Sequence, residues 1–573
     1  MLPLALLLAA SLDVYPEYQR PDPFGGVLEA DRSPAAGQHF ATARGGYASF
    51  HLVAKLTAPG TYELTVQSPL QVDVFREWFH KMARGGKYIP DALVPVTSPY
   101  KSAMPDPENR IPGQTAQAFW IDVWVPANTK PGTYPMNATL RAGNETATKA
   151  IEVQVTAAEV PKDDVVTMDH NSYGSSFLAD QYPKLAAQYG DGFFTSDAFF
   201  KLIHAYHRIF YEHRGILHQL GYGHGGKVAP EFAPALTGFG RSKKIANWDL
   251  FDRHYGPLFD GSAFKNTRRG ARAIPFVYLP INPEWPASFV SWGEPGYETE
   301  FVNVVGAMER HFREKGWTNT RFELFFNHKK RYKAFPWDGD EVRFLGDDQY
   351  FKTYAGFMKK AVPAKTPVKF VFRTDASWAM EQQFQDLAGV IDFWVCSGGI
   401  VTWNREAVRH VVDRGDIVWY YGGPPEVTKP VAQITEFPLR AWLFGIHGFV
   451  HWLTVSAGAD PWFRFDGGGT ALVYPGERFG IEEPIPSIRL KVQRNALQDL
   501  ALAGAAKADV AERFNGSKPD DWWMPRPPLA NKPPEEWSND DVDEAMKPAE
   551  SRMRKLDAAS WQRVHELVME KAR

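Results

Sequence analysis

The first 160 residues alternate apolar and polar positions in short runs. Ala48-Ser49-Phe50-His51-Leu52-Val53, Thr61-Tyr62-Glu63-Leu64-Thr65-Val66 and Ile151-Glu152-Val153-Gln154-Val155 carry the period-two pattern of strands with one buried face. Pro59-Gly60, Pro131-Gly132 and Gly143-Asn144 set turns between such runs. Phe119-Trp120-Ile121-Asp122-Val123-Trp124-Val125 and the segment from Lys130 to Tyr134 read as two strands joined by a turn. Regular short strands of this kind predict a β-sandwich over residues 13–159.

After Val160-Pro161-Lys162-Asp163 the pattern changes. Short apolar runs at 165–170, 215–222, 274–279, 321–326, 368–373, 390–395, 416–421 and 448–453 read as strands buried on both faces. Segments with helical spacing lie between them, at 199–213, 297–315, 348–361, 379–388, 404–414 and 437–445. Eight strands with intervening helices predict a (β/α)8 barrel over 160–510. The remainder, 511–573, begins as a Pro-, Trp- and charge-rich extension at 519–537, read as a loop or linker. It ends in a helical pattern at 556–573. The fold class is thus multidomain: an N-terminal β-sandwich, a (β/α)8 barrel and a C-terminal extension.

Composition narrows the function. Of 573 residues, 44% are hydrophobic and 23% charged, which excludes a disordered chain. A formal charge of −3 offers no basic field for nucleic acid. Cys396 is the one cysteine, so no intrachain disulfide can form. MLPLALLLAAS at the start resembles the apolar core and cleavage zone of a secretory leader, without the usual positive flank. Residues 1–12 are therefore expected to be a signal peptide, and the protein secreted or periplasmic. This run is too short to span a bilayer, and no later segment reaches that length without charge or proline. The sequons at Asn137, Asn144 and Asn515 are of a kind that arises by chance. Nineteen Trp and 22 Tyr are unusual, and indole faces stack on pyranose C–H faces, so a glycan is the natural partner.

A barrel of this kind carries its site at the C-terminal strand ends. Those ends supply His170 and Asn171, Tyr222 and His224, Asn327 and Lys329, Asp375, Trp394, Trp419 with Tyr420 and Tyr421, and Trp452. The polar members suit sugar hydroxyls, and the aromatic ones suit stacking. For any single Trp, core filling is the plainer reading; four aromatic strand ends together favour a pocket. His204, His207, His213, His218 and His224 crowd one region, but no Cys or HExxH completes a zinc pattern. Gly467-Gly468-Gly469 lacks the Lys-Ser/Thr of a phosphate loop, and no Gly-x-Ser-x-Gly elbow is present. Neither metal nor cofactor is expected.

Glycoside hydrolysis uses two carboxyl groups, an acid for the leaving oxygen and a nucleophile or base for the anomeric carbon. Barrels commonly place these after strands four and seven. Here strand seven runs into Tyr420-Tyr421-Gly422-Gly423-Pro424-Pro425, and Glu426 comes only later. The adjacent Asp340-Glu341 suits another chemistry, in which the sugar's 2-acetamido oxygen is the nucleophile. One carboxyl then orients the acetamido N–H and the other protonates the leaving group. A pocket and the nearby Asp charge would keep Glu341 protonated. Asp347-Asp348 is expected to be a solvated helix N-cap.

From Trp419 onward the chain resembles glycoside hydrolase family 123 and its uncharacterised relatives. The carrying residues are Trp419-Tyr420-Tyr421-Gly422, Phe437-Pro438-Leu439-Arg440-Ala441-Trp442 and Gly448-Phe449-Val450-His451-Trp452. Asp460-Pro461-Trp462, Leu472-Val473-Tyr474-Pro475-Gly476 and Pro486-Ser487-Ile488-Arg489-Leu490, with Arg494 and Gln498-Asp499, complete the series. The resemblance implies a β-N-acetylgalactosaminidase-like enzyme working by substrate assistance. It implies an Asp that steadies the acetamido group and a Glu acid/base, matched here by Asp340 and Glu341, with Val342 where the family often has Pro. A tyrosine would bond the acetamido oxygen, Tyr420 or Tyr421 by position. Two alternatives stand beside this reading. One is a glycan-binding barrel without catalysis; the other is a glycosidase of different sugar specificity using two separate carboxylates, Glu341 with Glu284 or Asp375.

Overall fold

The computed structural model describes residues 10–33, 39–224, 228–287, 294–330, 335–342, 344–376, 381–465, 469–510 and 558–573, with scattered positions between 536 and 548. Residues 1–9 of the expected leader, and Trp522, Trp523 and Trp537 of the extension, lie outside the described residues. Ala10, Ser11 and Leu12, also assigned to the leader, pair with Leu56, Lys55 and Ala54 in the strand Ala10–Pro16.

Two five-stranded sheets form the N-terminal part. One runs Ala10–Pro16, Gly46–Leu56, Ala116–Val125, Gln71–Lys81, Tyr88–Val96; the other runs Phe40–Arg44, Glu145–Glu159, Gly132–Ala142, Gly60–Gln67, Tyr100–Met104. Phe50, Leu52, Phe119 and Ile121 of the first sheet and Leu64, Met136, Leu140 and Val153 of the second share one core. Period-two alternation gives each strand one apolar face, and the two sheets bury these faces against each other. The segments joined at Pro131-Gly132 do not form a hairpin: Ala116–Val125 and Gly132–Ala142 belong to different sheets. The turn carries the chain from one sheet to the other, so that both apolar faces meet.

All eight strands expected in the second part are present, as Thr167–Tyr173, Gly215–Leu220, Phe276–Tyr278, Arg321–Leu324, Lys369–Ala376, Phe393–Ser397, Ile417–Gly422 and Gly448–His451. They form one parallel sheet curled into a nearly closed barrel, numbered here one to eight in chain order. Among the described residues the hydrogen-bonded ladder is open only between strands two and three. Side chains close that seam. The rings of His218 and Tyr278 stack at 3.8 Å and 8° across it. The Tyr222 hydroxyl lies 2.5 Å from the Phe325 carbonyl oxygen and 3.2 Å from that of Ile281. Helices Asp197–Glu212, Tyr297–Glu314, Asp348–Ala361, Arg405–Asp413 and Glu436–Leu443 lie between successive strands, close to the expected limits. Glu381–Asp386 is the described remnant of the segment expected at 379–388.

The lumen is layered. Ile216, Phe276, Phe393, Val395, Trp419 and Val450 pack as an apolar plug toward the strands' N-terminal ends. A Cβ on Gly448 would lie 2.5 Å from the Trp419 ring nitrogen, so glycine there lets the indole fill the plug. Charged and polar side chains occupy the layers above, beneath the mouth.

The helix Ile488–Ala506 is buried on every side and joins the two parts. Its charges enter the N-terminal sheets. Arg489 pairs with Asp91 at 2.7 Å, and Lys491 and Arg494 converge on Asp122 at 2.5 and 2.8 Å. Burying charge is costly, so each group relies on its partners. The terminal helix Ala558–Lys571 packs Trp561, Val564 and Val568 with Ala496, Leu500 and Ala503 of that helix. Among the described residues no helix is long and apolar enough to cross a membrane. Asp122→Ala leaves two buried cations unpaired and should cost about 3–5 kcal/mol, measured as a lower midpoint in denaturant unfolding.

Candidate active site

Strand four ends at the barrel mouth, and the chain returns there with Asp340-Glu341. Three backbone contacts strap this loop down. Gly339 and Asp340 donate to the His328 carbonyl at 3.0 and 3.3 Å, and Val342 donates to the Asp375 carbonyl at 3.1 Å. The acid pair is thus held between the ends of strands four and five. Gly339 fits because a Cβ there would meet Phe326 at 2.5 Å. Glu341 itself has φ of 53°, a left-handed conformation that a non-glycine residue adopts at some cost. Behind the loop, Trp337 is buried and stacks on Tyr350 at 4.8 Å. The Asp347 carboxylate accepts from the Asp338 N–H at 3.1 Å and from Lys330 Nζ at 2.8 Å. Asp347 does hold the N-cap position of helix Asp348–Ala361, but it is buried and serves as a loop anchor rather than a solvated cap.

Lys329 touches both acids. It contacts the Glu341 carboxylate directly and lies 3.4 Å from Asp340 Oδ2. The Tyr421 hydroxyl, from strand seven, donates to Glu341 Oε1 at 3.1 Å. His224 Nδ1 stands 4.0 Å from Asp340 Oδ2 and 3.2 Å from the Asn327 carbonyl oxygen. Asp340 is buried, with side-chain exposure of 5% against 16% for Glu341. Burial, reinforced by the negative charges of Glu341 and Asp375 and opposed by Lys329, pushes the Asp340 carboxyl up to about 8.

Other buried polar atoms gather at this mouth. The Tyr173 hydroxyl faces the Asn327 side chain, and Oδ1 of Asn171 has no hydrogen-bond partner in the protein. Trp452 packs edge-on against Tyr173 at 5.0 Å and is half-buried. Unpaired buried donors and acceptors are unfavourable unless something else pairs with them, and ligand hydroxyls are suited to that.

Directly below runs a buried chain of charges. His218 bridges Asp169 at 2.6 Å and Glu323 at 3.0 Å. Arg373 contacts Glu323 at 3.2 Å, the Tyr278 hydroxyl at 2.6 Å and Asp375 at 3.0 Å. Burial alone would lower the His218 pKa, but Glu323 and Asp169 raise it to about 9. Burial raises the Asp375 carboxyl even against the pull of Arg373.

The structure gathers Asn171, His224, Asn327, Lys329, Asp340, Glu341, Asp375, Tyr421 and Trp452 at or just below the mouth. Five sequence candidates face elsewhere. His170 stacks on Phe210 of the neighbouring helix at 4.4 Å, outside the barrel. Trp394 also points outward, its Nε1–H donating to Asp416 at 3.0 Å with Phe384 against the ring. Tyr420 packs outward against Phe449 at 5.0 Å. Trp419 does face inward, but as the floor of the lumen, with zero exposure. Tyr222 spends its hydroxyl on the seam. The cause is strand parity. Asp169, Asn171 and Tyr173 face inward, so His170 cannot; Phe393 and Val395 do, so Trp394 cannot. The same parity singles out Tyr173, Tyr278 and Arg373 among the strand-end residues and would have added Glu323. Of the five grouped histidines, His204 bonds the His254 carbonyl oxygen, His213 the Ile209 carbonyl oxygen, His218 enters the lumen and His224 reaches the mouth.

No protein-family model matches the sequence, and no curated protein matches it. Among solved structures, a family 123 glycoside hydrolase from Clostridium perfringens, studied for glycolipid glycan hydrolysis, aligns with a TM-score of 0.60 at 12% identity, over 98% of this chain and 99% of that one. A β-D-glucuronidase of Dictyoglomus thermophilum aligns at TM-score 0.30 and 7% identity, over 84% and 72%. A Bacteroides uniformis β-glucuronidase aligns at 0.27 and 11%, over 79% and 51%. The chain resembles a family 123 glycoside hydrolase in fold along nearly its whole length.

His218 carries a linkage that melting can detect. Its pKa is about 9 folded against 6.5 as an ordinary histidine, so its stabilisation is full below about pH 6.5 and lost as pH rises through 9. The gap in melting temperature between wild type and His218→Gln should narrow over that interval; a constant gap would contradict the charged His218 bridge.

Proposed function

We propose that this chain is a glycoside hydrolase that cleaves a β-linked N-acetylhexosamine, N-acetylgalactosamine by the family resemblance, with help from the substrate's own 2-acetamido group. The observation that supports this reading is the adjacent Asp340-Glu341 at the barrel mouth, one carboxyl buried and the other gripped by Lys329 and Tyr421. Asp340, the deeper acid, accepts a hydrogen bond from the acetamido N–H. That bond favours its ionised form, so its proton passes to Glu341 as the sugar binds. Glu341 protonates the departing glycosidic oxygen while the acetamido carbonyl oxygen bonds to the anomeric carbon and the C–O bond breaks. Glu341, now a carboxylate, takes a proton from a water that attacks the anomeric carbon of the resulting oxazolinium ion, whose ring bond from that carbon to the acetamido oxygen breaks and restores the acetamido group. Two inversions leave the configuration retained. Trp452 and Tyr173 offer ring faces, and Asn171, Asn327 and His224 offer polar atoms to the sugar hydroxyls. Export belongs to the same reading, on the strength of the apolar start of the chain.

An aryl 2-acetamido-2-deoxy-β-galactoside should be hydrolysed and its 2-hydroxy analogue should not. Equal turnover of the two would remove substrate assistance, and tight glycan binding without turnover would leave a binding protein. Glu341→Gln should lose about 10²–10⁴-fold on poor leaving groups and far less on activated aryl ones. The acid pair loses its last proton near pH 8, so kcat/KM should fall as pH rises through that value. A profile flat to pH 10 would exclude the shared proton.

A further inference from the structure

The acid loop does not rest on strand four alone. Val342 donates to the Asp375 carbonyl at 3.1 Å, and Thr374 Oγ1 lies 3.5 Å from the Gly339 carbonyl oxygen, so both flanks of Asp340-Glu341 are tied to the end of strand five. The Asp375 side chain takes Arg373 Nε on one oxygen at 3.0 Å and an Nη at 3.5 Å on the other. Arg373 has 1% exposure and its fork is fixed from behind by Tyr278 at 2.6 Å and Glu323 at 3.2 Å. Asp169 lies 4.0 Å from the same guanidinium. Asp375 is thus joined to the acid loop through its backbone while Arg373 holds its carboxylate.

We propose that Arg373 and Asp375 are positioning residues for the reaction: Arg373 pins the Asp375 carboxylate at the acid loop, and that fixed negative charge sets how firmly the Asp340-Glu341 pair keeps its one proton. The inference rests on the substrate-assisted reading of the site. Every charged or titratable group facing Asp340 enters the balance. Lys329 and Glu341 are nearest, Asp375 comes from strand five, Tyr222 and His224 from beyond strand two and Tyr173 from strand one, while Tyr421 reaches Glu341. Among these, Asp375 raises the Asp340 carboxyl through charge, and Arg373 keeps Asp375 ionised against its burial. The arrangement has a chemical use. An acid/base pair needs one proton shared between two carboxyls at working pH, and a neighbouring anion held at fixed distance supplies that bias without taking up the proton itself.

The test is the alkaline limb of the kcat/KM profile on the aryl acetamido-galactoside, with melting temperatures run in parallel. Asp375→Asn keeps the shape and removes the charge, so the limb should move about one pH unit lower. Arg373→Met removes the cation that keeps the buried Asp375 ionised, so Asp375 should take up a proton and the limb should move lower as in Asp375→Asn, and Arg373→Lys, which restores the charge, should bring it back. A limb unchanged in Asp375→Asn, in a protein that melts like wild type, overturns the proposal. Should Arg373→Met fail to fold, Asp375→Asn alone decides. Wild-type protein inactive on the acetamido substrate would instead count against the substrate-assisted reading, which keeps the two failures apart.

Discussion

Inside a closed parallel sheet a charge has no water to lean on, and Arg373 is such a charge. Its guanidinium divides its contacts among Asp375, Glu323 and the Tyr278 hydroxyl, with Asp169 nearby and His218 completing the chain. Removing any member leaves another unpaired at a cost of several kcal/mol, so these positions constrain one another. They also constrain the backbone. Tyr278 and His218 close the seam between strands two and three, and Asp375 holds Val342 beside the acid pair. One set of electrostatic contacts therefore ties the barrel seam to the acid loop.

The same economy appears between the two halves of the chain. Helix Ile488–Ala506 has no polar face, because its charged residues insert into the N-terminal sheets. Arg489 reaches Asp91 and the carbonyl oxygens of Pro425, Gly469 and Ala471. Such a helix welds the sheets to the barrel through paired charges that only one geometry satisfies. The terminal helix adds a lighter contact, with His565 at 2.8 Å from Asp499.

Aromatic abundance meant less about the pocket than its position in the chain suggested. Trp394 and Tyr420 fill the space between sheet and helices, Trp419 plugs the lumen, and Trp337 backs the acid loop. Trp452 alone of the tryptophan candidates stands at the mouth, against Tyr173. The sequence candidates that reach the mouth, Asn171, His224, Asn327, Lys329 and Tyr421 beside Asp340-Glu341, share a property: each lies at an inward register position or beyond the strand end, where the mouth begins.

Hydrophobic runs were enough to locate all eight barrel strands and most helices, because burial on both faces is a local demand that each segment satisfies with its own residues. The acid pair was legible for a similar reason, as two chemically distinct groups adjacent in the chain. Which face of each strand looks inward was not, because parity depends on how eight separate segments close into one ring. Nor were the surroundings of Asp340 and Glu341, which come from residues as far apart as Lys329, Asp375 and Tyr421, brought together only once the barrel has formed.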